Sequence, residues 1–154
     1  MHTLARKWRT FRSLTRPERW LVLRAWPLLL SIDLGLRLLP FRRLQSLLAI
    51  PPRAPAPPNP QPAIRLTLNA IDRAARNHLY PMTCLRRALA LQRLLAQQGI
   101  PTDLRFGARL ENGALAAHAW LEHHGQPVGE ALPLEKRFTP LASAAVRAAS
   151  SIDS

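Results

Sequence analysis

Apolar residues recur every three or four positions through the first two thirds of the chain, which is the spacing of helices with one buried face. This spacing predicts helices over 3–12, 18–39, 41–48, 63–79 and 84–98. Beyond them apolar and polar residues alternate, which predicts strands over 103–110, 116–122 and 128–132, with turns at 111–113 and 124–127. Helices followed by short strands indicate an α+β fold.

A proline-rich stretch interrupts the helical pattern. Seven prolines fall within residues 51–62, a composition typical of an extended spacer of the polyproline II type. The sequence therefore predicts a basic amphipathic helical segment over 1–50, a linker over 51–62, a folded domain over 63–141 and a tail over 142–154. We expect the long helix of the first segment to pack its apolar face on the folded domain.

The helix that begins at Cys84 carries the clearest chemical signal. Cys84 is the only cysteine, Thr83 before it is a good N-cap, and Gly99 ends the helix. Free N–H groups and the helix dipole favour an anion at a helix start, so a thiolate nucleophile is favoured there. The alternative is a small buried hydrophobic residue, because free cysteines often lie in cores. Four polar residues of this helix are expected to face outward: Arg86, Gln92, Arg93 and Gln97.

Two further residues complete a candidate catalytic group. His118 lies on the predicted strand 116–122, on one face with Trp120 and Glu122, and Glu130 lies on the next predicted strand. A cysteine at a helix start, a histidine on a strand and a carboxylate on the following strand can form a Cys-His-acid triad. His78 is a rival base six residues before Cys84, although a histidine at a helix C-terminus is also an ordinary cap.

The motifs around these residues resemble one family. They are Thr-Cys-Leu-x-Arg-Ala-Leu-Ala-Leu at 83–91, Gly-Ile-Pro at 99–101, Ala-His-Ala-Trp-Leu-Glu at 117–122 and Gly-Glu at 129–130. Together they are similar to the transglutaminase-like leader peptidases of lasso peptide biosynthesis, the B proteins of the B2 type. The resemblance covers roughly residues 64–141 and extends more weakly into the N-terminal helices.

The resemblance implies a fold and roles for the candidate residues. The fold is a papain/transglutaminase-like core in which the cysteine helix packs on a small antiparallel sheet, preceded here by N-terminal helices. Cys84 matches the family's nucleophile, His118 matches its base, and Glu130 falls at the position of its orienting acid. The family often has aspartate at that last position, so this chain departs from the pattern there.

The resemblance also implies an activity and partners. A cysteine peptidase of this kind removes the leader from a ribosomally made precursor peptide, and an ATP-dependent lasso cyclase then closes a lactam ring in the core. Some family members carry their own leader-recognition module, but residues 1–53 here predict helices rather than strands, so a separate leader-binding protein is implied. Two other classes stay open: a transglutaminase-like acyltransferase with an amine acceptor, and a non-catalytic scaffold that binds an acidic partner through its basic helices.

Charge is concentrated in the N-terminal third. Of the net charge of +13, residues 1–53 supply 11 basic and 2 acidic residues, or +9. This surface suits an acidic partner, contact with an anionic membrane surface, or simply the solvated faces of helices. Nucleic acid is not expected as a partner, because no binding motif accompanies the charge.

Other features narrow the setting. The apolar runs are too short for the roughly 18 residues of a transmembrane helix. One cysteine cannot form an internal disulfide, which suits the reducing cytoplasm. One cysteine and scattered histidines do not have the spacing of a zinc site, so we expect neither a metal nor a cofactor.

Overall fold

The computed structural model describes residues 14–49, 51, 54–111, 114–129 and 139–140. Within them the fold is α+β, as predicted, with four helices followed by a four-stranded sheet. The elements are α1 Arg16–Leu38, α2 Phe41–Leu48, α3 Gln61–Arg76, α4 Cys84–Gln97, β1 Asp103–Glu111, β2 Ala114–His123, β3 Gln126–Pro127 and β4 Thr139–Pro140. The predicted helix over 3–12 and the tail over 142–154 lie outside the described residues.

Helix α1 begins with a capping box. The Thr15 hydroxyl accepts a hydrogen bond from the Glu18 N–H at 3.5 Å, and the Glu18 carboxylate accepts one from the Thr15 N–H at 2.8 Å. Hydrogen bonds from the Thr15 backbone and side chain hold the pKa of Glu18 below its usual value. Pro17 lies in the first turn, where backbone N–H groups have no partner inside the helix, so the lack of an N–H costs no hydrogen bond.

Helices α1, α3 and α4 share one hydrophobic core. Its most deeply buried members include Ala25, Leu29 and Ile32 of α1, Ile64, Ile71 and Ala74 of α3, and Leu89 and Leu95 of α4. One side of α1 therefore packs on the rest of the fold, as expected. The prediction was wrong for five of its large apolar side chains, which are exposed: Trp20, Leu23, Leu30, Leu34 and Leu38. The division into separate segments and a linker stays a prediction.

The proline-rich stretch lies directly against the end of α4. Gly99 ends this helix with φ at +75°, and the Ile100 N–H donates to the Leu95 carbonyl at 3.0 Å, a Schellman-type cap. A Cβ atom on Gly99 would overlap the carbonyl oxygen of Ala54. The backbone around Ala54 thus approaches α4 so closely that only glycine fits there.

The sheet has the order β3-β2-β1-β4, and its strands pair antiparallel. The turn between β2 and β3 consists of two residues, His124 and Gly125. Both have positive φ (50° and 74°), which is the conformation of a type I′ turn. The prediction that 124–127 is all turn was therefore wrong: Gln126 pairs with His123, and pairing continues to Pro127. Proline is tolerated at that position because β3 is an edge strand.

The predicted third strand over 128–132 falls within the described residues only at Val128 and Gly129, which form a bend. The Val128 N–H donates to the Leu121 carbonyl at 2.8 Å, so backbone bonding to β2 extends one residue beyond Pro127. Gly129 has φ at +76°, a backbone conformation that does not continue a strand. Residues 130–132 lie outside the described part of the chain, and so does Glu130.

Candidate active site

Cys84 is the first residue of α4. The N-cap residue Thr83 is extended, with φ −69° and ψ 162°, and its side chain makes no capping hydrogen bond within the described residues. The first N–H groups of a helix have no partner inside the helix, so they are available to an anion at this end. The Cys84 side chain is half-buried. The predicted helix start and N-cap position are thus confirmed.

Cys84 and His118 line the same pocket. The pocket has a volume of about 90 Å³ and lies between α3, α4, β2 and the bend after β3. Ligand pockets typically measure about 300–1,000 Å³, so this pocket can receive a side chain but not a length of peptide. The thiol and the imidazole belong to residues that are 34 positions apart in sequence (118 − 84), and the structure brings them to one site.

Apolar and polar groups line the pocket in nearly equal parts, and two of the polar side chains form an ion pair. Leu68 and Ile71 line it from α3 and Leu121 lines it from β2. Asp72 and Arg87 also line it and form an ion pair between α3 and α4. The two opposite charges sit side by side, so the wall adds little net charge next to the thiol.

The imidazole of His118 is held against a fixed neighbour. Its ring stacks on Trp120 with the centroids 6.1 Å apart and the planes inclined by 19°. Trp120 is buried, and its indole N–H donates to the Glu122 carboxylate at 3.2 Å. Glu122 is in turn paired with Arg105 at 2.9 Å. His118, Trp120 and Glu122 thus share one face of β2, as the alternation predicted.

Glu130 cannot be placed beside His118, because it lies outside the described residues. The residue before it, Gly129, lines the pocket and approaches α3 closely. A Cβ atom on Gly129 would lie 2.5 Å from the Leu68 side chain. The role of Glu130 as the third member of a triad stays a prediction.

The rival base His78 lies elsewhere. Its ring stacks on Trp26 of α1 at 4.8 Å between centroids and meets the edge of Tyr80 at 5.2 Å. Both of its ring nitrogens are buried without a hydrogen-bond partner in the described part of the chain. His78 is not among the residues that line the Cys84 pocket.

The other histidines do not form a metal centre. His123 is buried at the end of β2, with Nδ1 2.7 Å from the Pro101 carbonyl oxygen, so its N–H tautomer donates to that oxygen. His124 is in the type I′ turn beside it. Across the described ranges, no group of three or more His, Cys, Asp or Glu residues could hold a metal ion.

Four polar residues of α4 were predicted to face outward. In the structure they contact other parts of the fold. Arg86 lies 2.6 Å from the buried Asp33 of α1, Arg93 donates to the Leu48 carbonyl at 2.9 Å, and Gln97 accepts from Arg24. Gln92 donates to the Thr102 carbonyl at 3.1 Å. The prediction that these four residues look outward holds only in part. Each is partly exposed, but α1, the last residue of α2 and the segment after α4 contact them.

Comparison with known proteins agrees with this arrangement. The family model of the transglutaminase-like superfamily matches residues 26–143, so this chain belongs to that superfamily. Members are usually cysteine hydrolases or acyltransferases. The matched region begins within α1, includes Cys84 and His118, and ends beyond Glu130.

Two further findings complete the comparison. No curated protein and no solved structure matches the chain at a significant level. No helix in the described ranges combines the length and apolar character that a membrane crossing requires.

Proposed function

We propose that this chain is a cysteine peptidase that removes the leader from a lasso precursor peptide. The observation that carries the proposal is the common pocket of Cys84, at the start of a helix, and His118, on a strand. This pocket lies in a region that belongs to a superfamily of cysteine hydrolases and acyltransferases. The resemblance of the motifs around both residues to B proteins supports the lasso precursor as substrate.

The proposed reaction begins when the His118 imidazole takes the proton of the Cys84 thiol. The thiolate attacks the carbonyl carbon of the scissile peptide bond, and the developing oxyanion is stabilised by the backbone N–H of Cys84. The imidazolium then gives its proton to the leaving amine, and an acyl-thioester remains on Cys84. His118 next takes a proton from water, whose oxygen attacks the thioester carbon and releases the leader with a new carboxylate. Glu130 orients the imidazole throughout.

The pocket size suggests how the substrate lies. A volume of about 90 Å³ accommodates one side chain next to the scissile bond, so the rest of the peptide must extend along the open surface. Because Asp72 and Arg87 are paired with each other, the wall offers no unpaired charge from these two residues, which favours a small uncharged side chain. A pocket that holds a single side chain provides little binding energy by itself, which supports the involvement of a separate leader-binding protein.

The outer face of α1 supports docking of such a partner. Trp20, Leu23, Leu34 and Leu38 are between 54% and 70% exposed along this face. The N-terminal third around them is strongly basic. An acidic partner could bury the apolar side chains while its carboxylates meet the arginines. The partner set we propose is a leader-binding protein, the precursor and an ATP-dependent cyclase.

The decisive experiment uses Cys84→Ala. The variant is incubated with precursor, leader-binding protein and cyclase, and the products are measured by mass spectrometry. We expect no leader cleavage and an unchanged circular dichroism spectrum. Cleavage at the wild-type rate would end the peptidase proposal. A wild-type reaction that attaches an added amine to the leader in preference to water would indicate the acyltransferase instead.

A further inference from the structure

We propose that Asp33 of α1 is a positioning residue for Cys84, because its buried carboxylate holds the chain on both sides of the thiol. The inference deepens the proposed function and rests on it only in that Cys84 is taken as the reactive residue. Asp33 lies 51 positions before Cys84 (84 − 33) and does not line its pocket. Any effect on the thiol must therefore pass through the residues that Asp33 contacts.

The contacts of Asp33 converge on the start of α4. Asp33 is only 4% exposed. The Tyr80 hydroxyl donates a hydrogen bond to Oδ2, and the Arg86 guanidinium lies 2.6 Å from Oδ1. Arg37, on the next turn of α1, donates to Oδ2 at 3.0 Å. Tyr80 is four residues before Cys84 and Arg86 is two residues after it. One carboxylate therefore contacts the chain on both sides of Cys84.

A second contact from α1 supports the same loop. Residues 77–83 connect α3 to α4 without regular structure. In this loop, His78 stacks on Trp26, which lies seven residues before Asp33 and so on the same face of α1. The loop that leads into Cys84 is therefore held at His78 and at Tyr80 by one side of one helix.

The charge of Asp33 is necessary for this arrangement. Burying a carboxylate is unfavourable unless donors and opposite charges surround it. Oδ2 of Asp33 accepts hydrogen bonds from Tyr80 and Arg37, whereas Oδ1 makes the ion pair with Arg86 and no hydrogen bond within the described residues. The hydrogen bond from Tyr80, aided by Arg37 and Arg86, lowers the pKa of Asp33, so the carboxylate is ionised at neutral pH. Without that charge, Arg86 would be half-buried with no anion beside it. The turn that carries Cys84 would then be free to shift relative to His118.

The opposite end of α4 provides a matched control. There the Gln98 side chain donates to the hydroxyl of Thr67 at 3.0 Å, and Thr67 is fully buried. Thr67→Val keeps the side-chain shape and removes this bond. It should lower the melting temperature without moving the Cys84 turn. Asp33→Asn keeps the shape of the carboxylate and removes its charge at the other end of the same helix.

The experiment first measures the alkylation rate of Cys84 by iodoacetamide against pH, without substrate. Among the described residues, the titratable or charged groups that share the pocket with the thiol are Asp72, Arg87 and His118. Neither these nor Glu130 is changed. For Asp33→Asn we expect slower alkylation at neutral pH and a profile moved to higher pH. For Thr67→Val we expect the wild-type profile.

The second measurement is leader cleavage with precursor and leader-binding protein. A displacement of the order of 1 Å can reduce a rate by up to about 100-fold, so we expect kcat of Asp33→Asn to fall about 10- to 100-fold with KM little changed. Tyr80→Phe removes the hydrogen bond to Asp33 and leaves the ion pair with Arg86. It should therefore change the alkylation profile and kcat in the same direction as Asp33→Asn, but by less. It also serves if Asp33→Asn does not fold.

The outcomes separate the two proposals. A wild-type alkylation profile in both Asp33→Asn and Tyr80→Phe would overturn the positioning role. It would also be overturned if Thr67→Val moved the profile as far as they do, because general destabilisation would then explain the effect. Normal alkylation of a wild-type chain that cleaves no precursor would overturn the proposed function alone, and the alkylation profiles would still decide the role of Asp33.

Discussion

The two ends of α4 are held in different ways. At the C-terminal end, Gly99 closes a backbone cap, the stretch at Ala54 packs against it, and the Thr67–Gln98 hydrogen bond is neutral. At the N-terminal end, where Cys84 lies, the support is the charged cluster around Asp33. One end thus depends on shape and short-range bonding. The end that carries Cys84 depends on charges from α1, a helix far away in the sequence that packs beside it.

This difference has a consequence for how the molecule responds to change. Packing at a glycine cap tolerates no added atom but is insensitive to pH and salt. A buried ion-pair cluster depends on the ionisation of its carboxylate. Substitutions at the C-terminal end of α4 should therefore lower stability alone. Substitutions at the N-terminal end should lower both stability and the reactivity of Cys84.

The largest effect is expected at the pocket itself. His118→Ala should reduce leader cleavage by about 10²- to 10⁴-fold, because the imidazole must both take the thiol proton and protonate the leaving amine. Glu130→Gln should be milder, since an orienting acid acts through the imidazole. His78→Ala is the comparison variant. It removes a ring that supports the loop before Cys84 but does not line the pocket, so it should lower the rate much less than His118→Ala in the same mass-spectrometric assay. If His118→Ala cleaved the leader and His78→Ala did not, the assignment of His118 as the base would be wrong.

The next effect tests the shape-dependent end of α4. Gly99→Ala should lower the free energy of unfolding by about 2–4 kcal/mol, because the new Cβ is strained at positive φ and overlaps the Ala54 carbonyl oxygen. Gly125→Ala also has positive φ, but nothing lies within 4 Å of its Cβ, so it should cost only about 1–2 kcal/mol. Denaturant unfolding measures both. Equal losses would show that the close approach at Gly99 contributes nothing.

A third effect concerns the two faces of α1, since the inner face supports Cys84 and the outer face is proposed to dock a partner. Replacing Leu23 and Leu34 together by serine should reduce partner-stimulated cleavage about tenfold, the size of a modest interface hot spot. The rate of the chain alone should not change, and stimulation of the wild type should weaken with salt. Leu115→Ser removes an exposed leucine from β2 and is the control. Equal wild-type rates with and without the leader-binding protein would contradict this division of labour.

The smallest effect is the pH dependence of the charged end. The hydrogen bond from Tyr80 lowers the pKa of Asp33 in the folded chain. The stability that this cluster contributes is therefore present above the unfolded value of about 3.9 and is lost as the pH falls through the folded value. The difference in melting temperature between wild type and Asp33→Asn should thus be full at neutral pH and shrink below about pH 4.

Thr67→Val is again the control, because its hydrogen bond involves no titrating group. Its difference in melting temperature from wild type should stay constant over the same pH range. A constant difference for Asp33→Asn would show that the charge of Asp33 does not stabilise the fold.

The features that the sequence predicted correctly depend on neighbours along the chain. The start of α4 at Cys84 and its end at Gly99 each arise within a few residues. The alternation of His118 with its neighbours on β2 likewise follows from strand geometry. The sequence by itself determined these elements and the α+β class, because local backbone hydrogen bonding and side-chain periodicity are visible in short windows.

Tertiary structure decided which polar residues of those elements face solvent. Arg86 has the spacing of an exposed position on an isolated α4, yet it is paired with Asp33 because α1 packs beside it. Asp33 itself is one acid within a long apolar helix, and no local pattern distinguishes it from a solvated one. The partners are some fifty residues apart, and only the folded chain brings them together. The shared pocket of Cys84 and His118 depends on the same kind of long-range packing, so the helix start alone could indicate a reactive thiol but not where it lies relative to a base.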